Sequence, residues 1–200
     1  MALKKKVLSD FEVRRDHPTL QQWRMDIHNF IVDCIEHIKS SKPGLSGEWT
    51  VLEVSGDGFA KHIDNCKFET TEIRQEENPT YLCAVEDMKI IKSNSYDLVI
   101  CTEVLEHCKK PWLGADEIYR VTKPGGYILI TVPCNLGIHG CISNNSILGT
   151  ERNELFDYWR YICPRSIELL FSERITKVLP CISGNHSFPN GVGLLAQKPS

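Results

Sequence analysis

Two carboxylates and two glycines mark the first place where this chain could hold a ligand: Thr50-Val51-Leu52-Glu53-Val54 runs straight into Ser55-Gly56-Asp57-Gly58. Glycine lets the backbone take positive φ and lets a ligand approach with no Cβ in the way, while Glu53 and Asp57 bring negative charge. Such a turn repels a phosphate and suits a cationic or hydroxyl-rich ligand. Glu72 follows nineteen positions after Glu53. At about that separation, nucleotide-binding βαβ units place an acid at the tip of the second strand, where it accepts both hydroxyls of a ribose. The plainer alternatives are an ordinary tight turn and an exposed strand-end carboxylate. The nine cysteines are scattered, odd in number and never in a C-x-x-C pair. They read as buried free thiols of a reducing compartment in preference to zinc ligands or disulfides. His139 lies between Cys134 and Cys141, but no second pair completes a tetrahedral set, so no metal is expected.

The elements that must position these groups alternate along the chain. Ile27, Phe30, Ile31, Cys34, Ile35 and Ile38 recur at helical spacing, with Thr19 and Gln22 as a capping box and Pro43-Gly44 as the stop. This helix is expected to cover a sheet. Trp23 and Arg24 near its start could close over a ligand, although packing and solvation are the favoured roles. Thr50–Val54 is an apolar, β-branched run expected as a buried parallel strand, followed by a short helical stretch at Phe59–Ile63. Further strands are expected at Lys67–Ile73, Tyr81–Val85, Tyr96–Cys101, Tyr127–Val132 and Val192–Ala196. Pro111 opens an amphipathic helix, Lys123-Pro124-Gly125-Gly126 forms a turn, and Pro164 starts a helix through Phe171. Strands alternating with helices, with no internal repeat, predict an α/β fold with a parallel sheet. Ligands of such sheets bind at the carboxyl ends of the strands, where Glu53, Glu72, Asp87, Thr102 and Pro133 fall.

Composition limits the rest. A chain of 200 residues, 42% hydrophobic and with a net charge of −3, suffices for one well-buried core and is short for two domains. Near-neutral charge gives no footprint for nucleic acid or an anionic membrane, and Lys4-Lys5-Lys6 reads as a solvated terminus. No apolar run approaches the roughly 20 residues of a membrane span, and no signal core follows Met1. A cytoplasmic location is expected. The organisation expected is one domain over 1–200, with a helical cover over 1–48, a ligand-binding half over 49–133 and a second half over 134–200. A compact single domain and a piece of a longer multidomain chain both accommodate an end close behind the last strand.

Val51–Gly58, Tyr96–His107 and Ala115–Pro133, taken together, resemble the class I S-adenosylmethionine-dependent methyltransferases. The glycine turn, the segment D-L-V-I with E-V-L-E-H, and the K-P-G-G turn occur in that family's order and spacing over about two-thirds of the chain, Thr50 to Phe171. The resemblance implies a Rossmann-like methyltransferase fold, a mostly parallel seven-stranded sheet with helices on both faces. It also implies S-adenosylmethionine as cofactor and S-adenosylhomocysteine as product. Glu53, Ser55, Gly56 and Gly58 would surround the methionine part, Glu72 the ribose, Glu86 and Asp87 the adenine side, and Thr102 and Glu103 the cofactor's amino group. Two departures stand out: Ser55 replaces the first glycine in a turn about one residue short, and Ala84 or Val85 stands where an acid is usual. The later segment, with Ile138-His139-Gly140 and then Asp157-Tyr158-Trp159-Arg160-Tyr161 before Pro164, is similar to the subgroup that accompanies glycan-building enzymes, with Ile162-Cys163 lengthening the link.

Methyl transfer to a sugar hydroxyl needs in-line placement and a base, for which a histidine oriented by a carboxylate serves. His139 with Asp157 is the expected pair, and His107 is the rival. Tyr158, Trp159 and Tyr161 could stack on a sugar while Arg160 bonds its hydroxyls, or the aromatics could be core. The leading expectation is a metal-independent O-methyltransferase for a sugar hydroxyl of a glycan or nucleotide-sugar, with other glycan-building domains as candidate partners. The alternatives are a small-molecule or lipid methyltransferase and a catalytically silent cofactor-binding module. A nicotinamide-dependent enzyme is disfavoured by the glycine spacing.

Overall fold

Runs of β-branched and aliphatic residues form strands buried on both sides, because each central strand sends alternate side chains to opposite faces of one sheet. The computed structural model describes residues 18–41, 48–55, 58–135, 158–161 and 163–200. Seven strands, β1 (Trp49–Val54), β2 (Cys66–Glu72), β3 (Tyr81–Leu82), β4 (Tyr96–Thr102), β5 (Thr122–Pro133), β6 (Thr176–Asn185) and β7 (Phe188–Gln197), pair in the order β3-β2-β1-β4-β5-β7-β6. The first five are mutually parallel, and β7 runs antiparallel to both β5 and β6. The expected seven-stranded, mostly parallel sheet is therefore present.

Helices lie on both faces. α1 (Pro18–Ser41) buries Trp23, Ile27, Phe30, Cys34 and Ile38 against Val51, Leu98, Ile100, Leu129 and Leu195. It begins one residue before the expected cap Thr19, with Pro18 in the first turn, where a missing N–H costs nothing. On the other face α2 (Pro111–Val121) and α3 (Pro164–Leu170) bring Ile118, Val121 and Ile167 onto Leu52, Val99, Cys101, Ile128 and Ile130. Odd and even residues of β1, β4 and β5 thus serve separate cores.

Several elements differ from expectation. Phe59–Ile63 closes as a single 3-10 turn, Ala60–His62. The third strand stops at Leu82, so Cys83–Val85 are free to form a wall. β5 begins at Thr122, and its register against β4 jumps between Tyr96 and Leu98 because Lys123–Gly126 bulge outward. A Cβ on Gly126 would stand 2.9 Å from the Lys123 carbonyl oxygen and 3.1 Å from that of Asp97, which explains the glycine there. Lys123 then ties the bulge down, its Nζ 2.9 Å from Asp97 and 3.1 Å from the Thr50 hydroxyl. β6 has no clear strand signature in the sequence: Pro180 interrupts it and most of its residues are exposed or half-buried, as an edge strand allows.

Candidate functional site

Strand register brings the chemistry to one rim. Val54 pairs with Thr71 and with Cys101, so Ser55 and Glu72, one residue on, and Glu103, two residues on, emerge at the carboxyl ends of β1, β2 and β4. They line a cleft of about 200 Å³ that opens to solvent. Ile73 and Arg74 close one end, Cys83–Glu86 form a side wall, and Val104, His107 and Cys108 close the other end. Burial pushes the Cys108 thiol up to about 12, so it is neutral at physiological pH and offers no thiolate nucleophile.

Glu53 is fully buried and accepts hydrogen bonds from the backbone N–H groups of Phe59 (2.8 Å) and Ala60 (3.0 Å). Its charge therefore fastens the far side of the glycine turn, and it stands behind the cleft, not in its lining. Ser55 adopts φ +58° and Gly58 φ +81°, the left-handed region that favours glycine. Ser55 donates its N–H to the Thr71 carbonyl at 2.9 Å and its hydroxyl to Glu72 Oε2 at 3.3 Å. Gly56 and Asp57 lie outside the described residues.

Glu72 is 7% exposed and heavily bonded. Its Oε1 accepts from the backbone of Ile73 (2.8 Å) and Arg74 (3.2 Å), and Arg74 Nη2 meets Oε2 at 2.9 Å. Burial alone would raise this carboxyl, but the Arg74 guanidinium and the two N–H groups outweigh it and hold Glu72 below the usual glutamate range. Glu86 accepts from the Lys110 backbone N–H at 2.8 Å, linking the cleft wall to the start of α2. Asp87 is exposed, sits 3.1 Å from Lys89 and lies outside the lining, as does Thr102, which is buried at the end of β4. Glu103, at φ +52°, donates its N–H to Thr131 and accepts the indole N–H of Trp23 at 2.8 Å.

The loop after β4 also carries the aromatic segment. The Glu106 carbonyl accepts the N–H groups of Tyr158 (2.8 Å) and Trp159 (3.2 Å), and the Trp159 indole donates to the Cys108 carbonyl at 2.9 Å. Tyr158 and Trp159 are each 40% exposed, and Trp159 meets Trp112 edge to face at 6.1 Å. Arg160 is half-buried and donates to the Trp159 carbonyl. Tyr161 turns inward instead, 5% exposed, with its hydroxyl toward the Leu105 carbonyl at 3.4 Å. His107 lies 3.7 Å from the buried Glu106 carboxylate. His139 and Asp157 fall outside the described residues. Sequence reasoning passed over Arg74 and Trp112. A guanidinium two residues past Glu72, and a tryptophan directly after the helix-opening proline, were the available signals.

Among the described residues no group of three or more His, Cys, Asp or Glu gathers as metal ligands, and no helix is long and apolar enough to cross a membrane. The lining suits S-adenosylmethionine by charge. Glu72, Glu86 and Glu103 face a cleft in which, among the described residues, the one guanidinium, Arg74, is already engaged by Glu72, as a cationic ligand with free hydroxyls would want.

Residues 57–130 match the family model described as a methyltransferase domain. The chain is 35% identical over 66 residues to an uncharacterized methyltransferase of Mycobacteroides abscessus, a match covering 33% of this chain and 26% of that protein. It thus spans about a quarter of that relative's length. Among solved structures, the N-methyltransferase NodS of Bradyrhizobium japonicum WM9 in complex with S-adenosylhomocysteine superimposes with a TM-score of 0.59 at 12% identity, covering 100% of this chain and 97% of that one. The [4+2]-cyclase SpnF gives a TM-score of 0.60 at 11% identity over 99% of this chain and 92% of that one. At such identities these likenesses speak for the fold alone. Residues 57–130 thus match a methyltransferase domain, and the chain shares the fold of these solved structures.

Proposed function

We propose that this protein is an S-adenosylmethionine-dependent O-methyltransferase acting on a sugar hydroxyl of a glycan or nucleotide-sugar. The observation that carries the cofactor reading is the row of Ser55, Glu72 and Glu103 along one rim of the cleft. When bound there, S-adenosylmethionine supplies a methyl group activated by a sulfonium. Glu72 accepts from ribose hydroxyls, sharing its oxygens with Arg74, and Glu103 offers its charge to the cationic end. The exposed rings of Tyr158 and Trp159, whose backbone is fixed to the loop after β4, and of Trp112 in the first turn of α2 support an acceptor with apolar ring faces such as a sugar. Arg160 beside them supplies hydroxyl contacts. His139 takes the acceptor's proton as the C–O bond forms, with Asp157 orienting the imidazole. The place of His107 in the cleft wall supports assigning it to the cofactor side.

Calorimetry with S-adenosylmethionine and S-adenosylhomocysteine, followed by methyl-transfer assays on sugars, nucleotide-sugars, small alcohols and lipids with and without EDTA, tests this reading. Binding of both cofactor forms and turnover on a sugar that EDTA leaves intact are expected. Turnover on lipids or small molecules alone would move the acceptor class, and binding without turnover would favour a silent module. Loss of turnover restored by magnesium would overturn the metal-independent chemistry.

A further inference from the structure

The second turn of α1 reaches the cofactor rim. Trp23 is 1% exposed, yet its indole N–H lies 2.8 Å from Glu103 Oε2 across eighty residues of sequence. Its bed is cut to shape by β7: a Cβ on Gly191 would stand 2.4 Å from the indole carbons Cε2 and Cζ2. The ring is therefore held firmly, and its donor has a fixed direction. A buried indole N–H needs an acceptor, but a backbone carbonyl or a glutamine would satisfy it. A carboxylate brings a full charge that the indole does not require, and that charge lines the cleft.

Glu103 and Glu72 sit on opposite sides of β1, two strands apart and so roughly 10 Å from each other at their strand tips. With the ribose at Glu72, the cationic amino-acid end of the cofactor extends toward Glu103. We infer that Trp23 is a positioning residue, holding the Glu103 carboxylate toward that cationic end and making α1 part of the cofactor site. The inference rests on the cofactor reading above and deepens it.

The test compares three ligands by calorimetry: S-adenosylmethionine, S-adenosylhomocysteine and 5′-methylthioadenosine, which keeps the adenosine but has no cationic group. Trp23→Phe keeps a ring in the bed and removes the donor. It is expected to weaken the first two roughly tenfold while leaving methylthioadenosine within about twofold, because hydrogen bonds to charged groups carry that order of energy. Glu103→Gln is expected to show the same pattern, and the double variant to bind no worse than Glu103→Gln alone. Equal weakening of all three ligands in Trp23→Phe would mean a packing role and overturn the proposal. So would an unchanged profile in Glu103→Gln, which decides the matter even if Trp23→Phe does not fold. A wild-type protein that binds none of the three would instead bring down the cofactor reading itself.

Discussion

If Glu72 holds the ligand as proposed, its pairing with Arg74 sets the acid limit of binding. The Glu72 carboxyl is held below its usual range, so it stays ionised through mildly acidic conditions, and any affinity it confers is present above that range and lost as pH falls through its lowered value. Cofactor affinity is expected to be flat from neutral pH into the acid range, falling only below the ordinary glutamate value. Arg74→Gln removes the largest compensation for burial, so the fall should move to higher pH; calorimetry across pH reads it, and an unmoved profile would detach Glu72 from the ligand. Glu72→Ala should weaken S-adenosylmethionine by about 1–3 kcal/mol through loss of a charged acceptor. The base belongs to the same scale. His139→Ala should lower kcat by roughly 10²–10⁴-fold with cofactor affinity unchanged, whereas His107→Ala should mainly weaken the cofactor. The reverse pattern in steady-state kinetics and titration would exchange the two histidines.

At the scale of elements, α1 and β7 are fitted to each other by glycines, since Gly191 lies under Trp23 and Gly193 under Phe30, where a Cβ would come within 2.8 Å of the ring. Gly191→Ala should therefore cost about 1–3 kcal/mol, the usual range for overpacking a filled site, and urea unfolding measures it. A variant as stable as the parent would mean that the indole has room to shift. The central strands and the rim they create were legible in the sequence because buried parallel strands write continuous apolar runs and the glycine turn punctuates the first of them. The edge was not: β6 carries Pro180 and little apolar alternation, and β3 is two residues long. Glu53 read as a ligand contact because its position at a strand tip does not reveal which way the carboxylate points. Only tertiary structure turns it back onto Phe59 and Ala60. Trp23 read as packing, which its burial against Gly191 bears out, but its bond to Glu103 was not legible because that partner lies eighty residues away.

At the scale of the molecule, the cleft draws walls from β1, β2, β4 and the stretch after β3, with Trp23 of α1 behind it, so both faces of the sheet meet at one rim. A ligand there touches elements that must all separate on unfolding, so its binding free energy adds to the stability of the whole. At a hundredfold excess over Kd that addition is about 2.7 kcal/mol. For a domain of this size it corresponds to a rise in midpoint of roughly 5–10 °C. S-adenosylhomocysteine is expected to produce that shift in a single cooperative transition followed by calorimetry. NAD is the informative control, because its pyrophosphate would meet Glu72 and Glu86 in a cleft whose guanidinium among the described residues, that of Arg74, is already paired. Repulsion there should leave the midpoint where it is. A shift with NAD and none with S-adenosylhomocysteine would mean that the carboxylates at the strand tips do not select for a cation, and the charge argument for the cofactor would fail at its root.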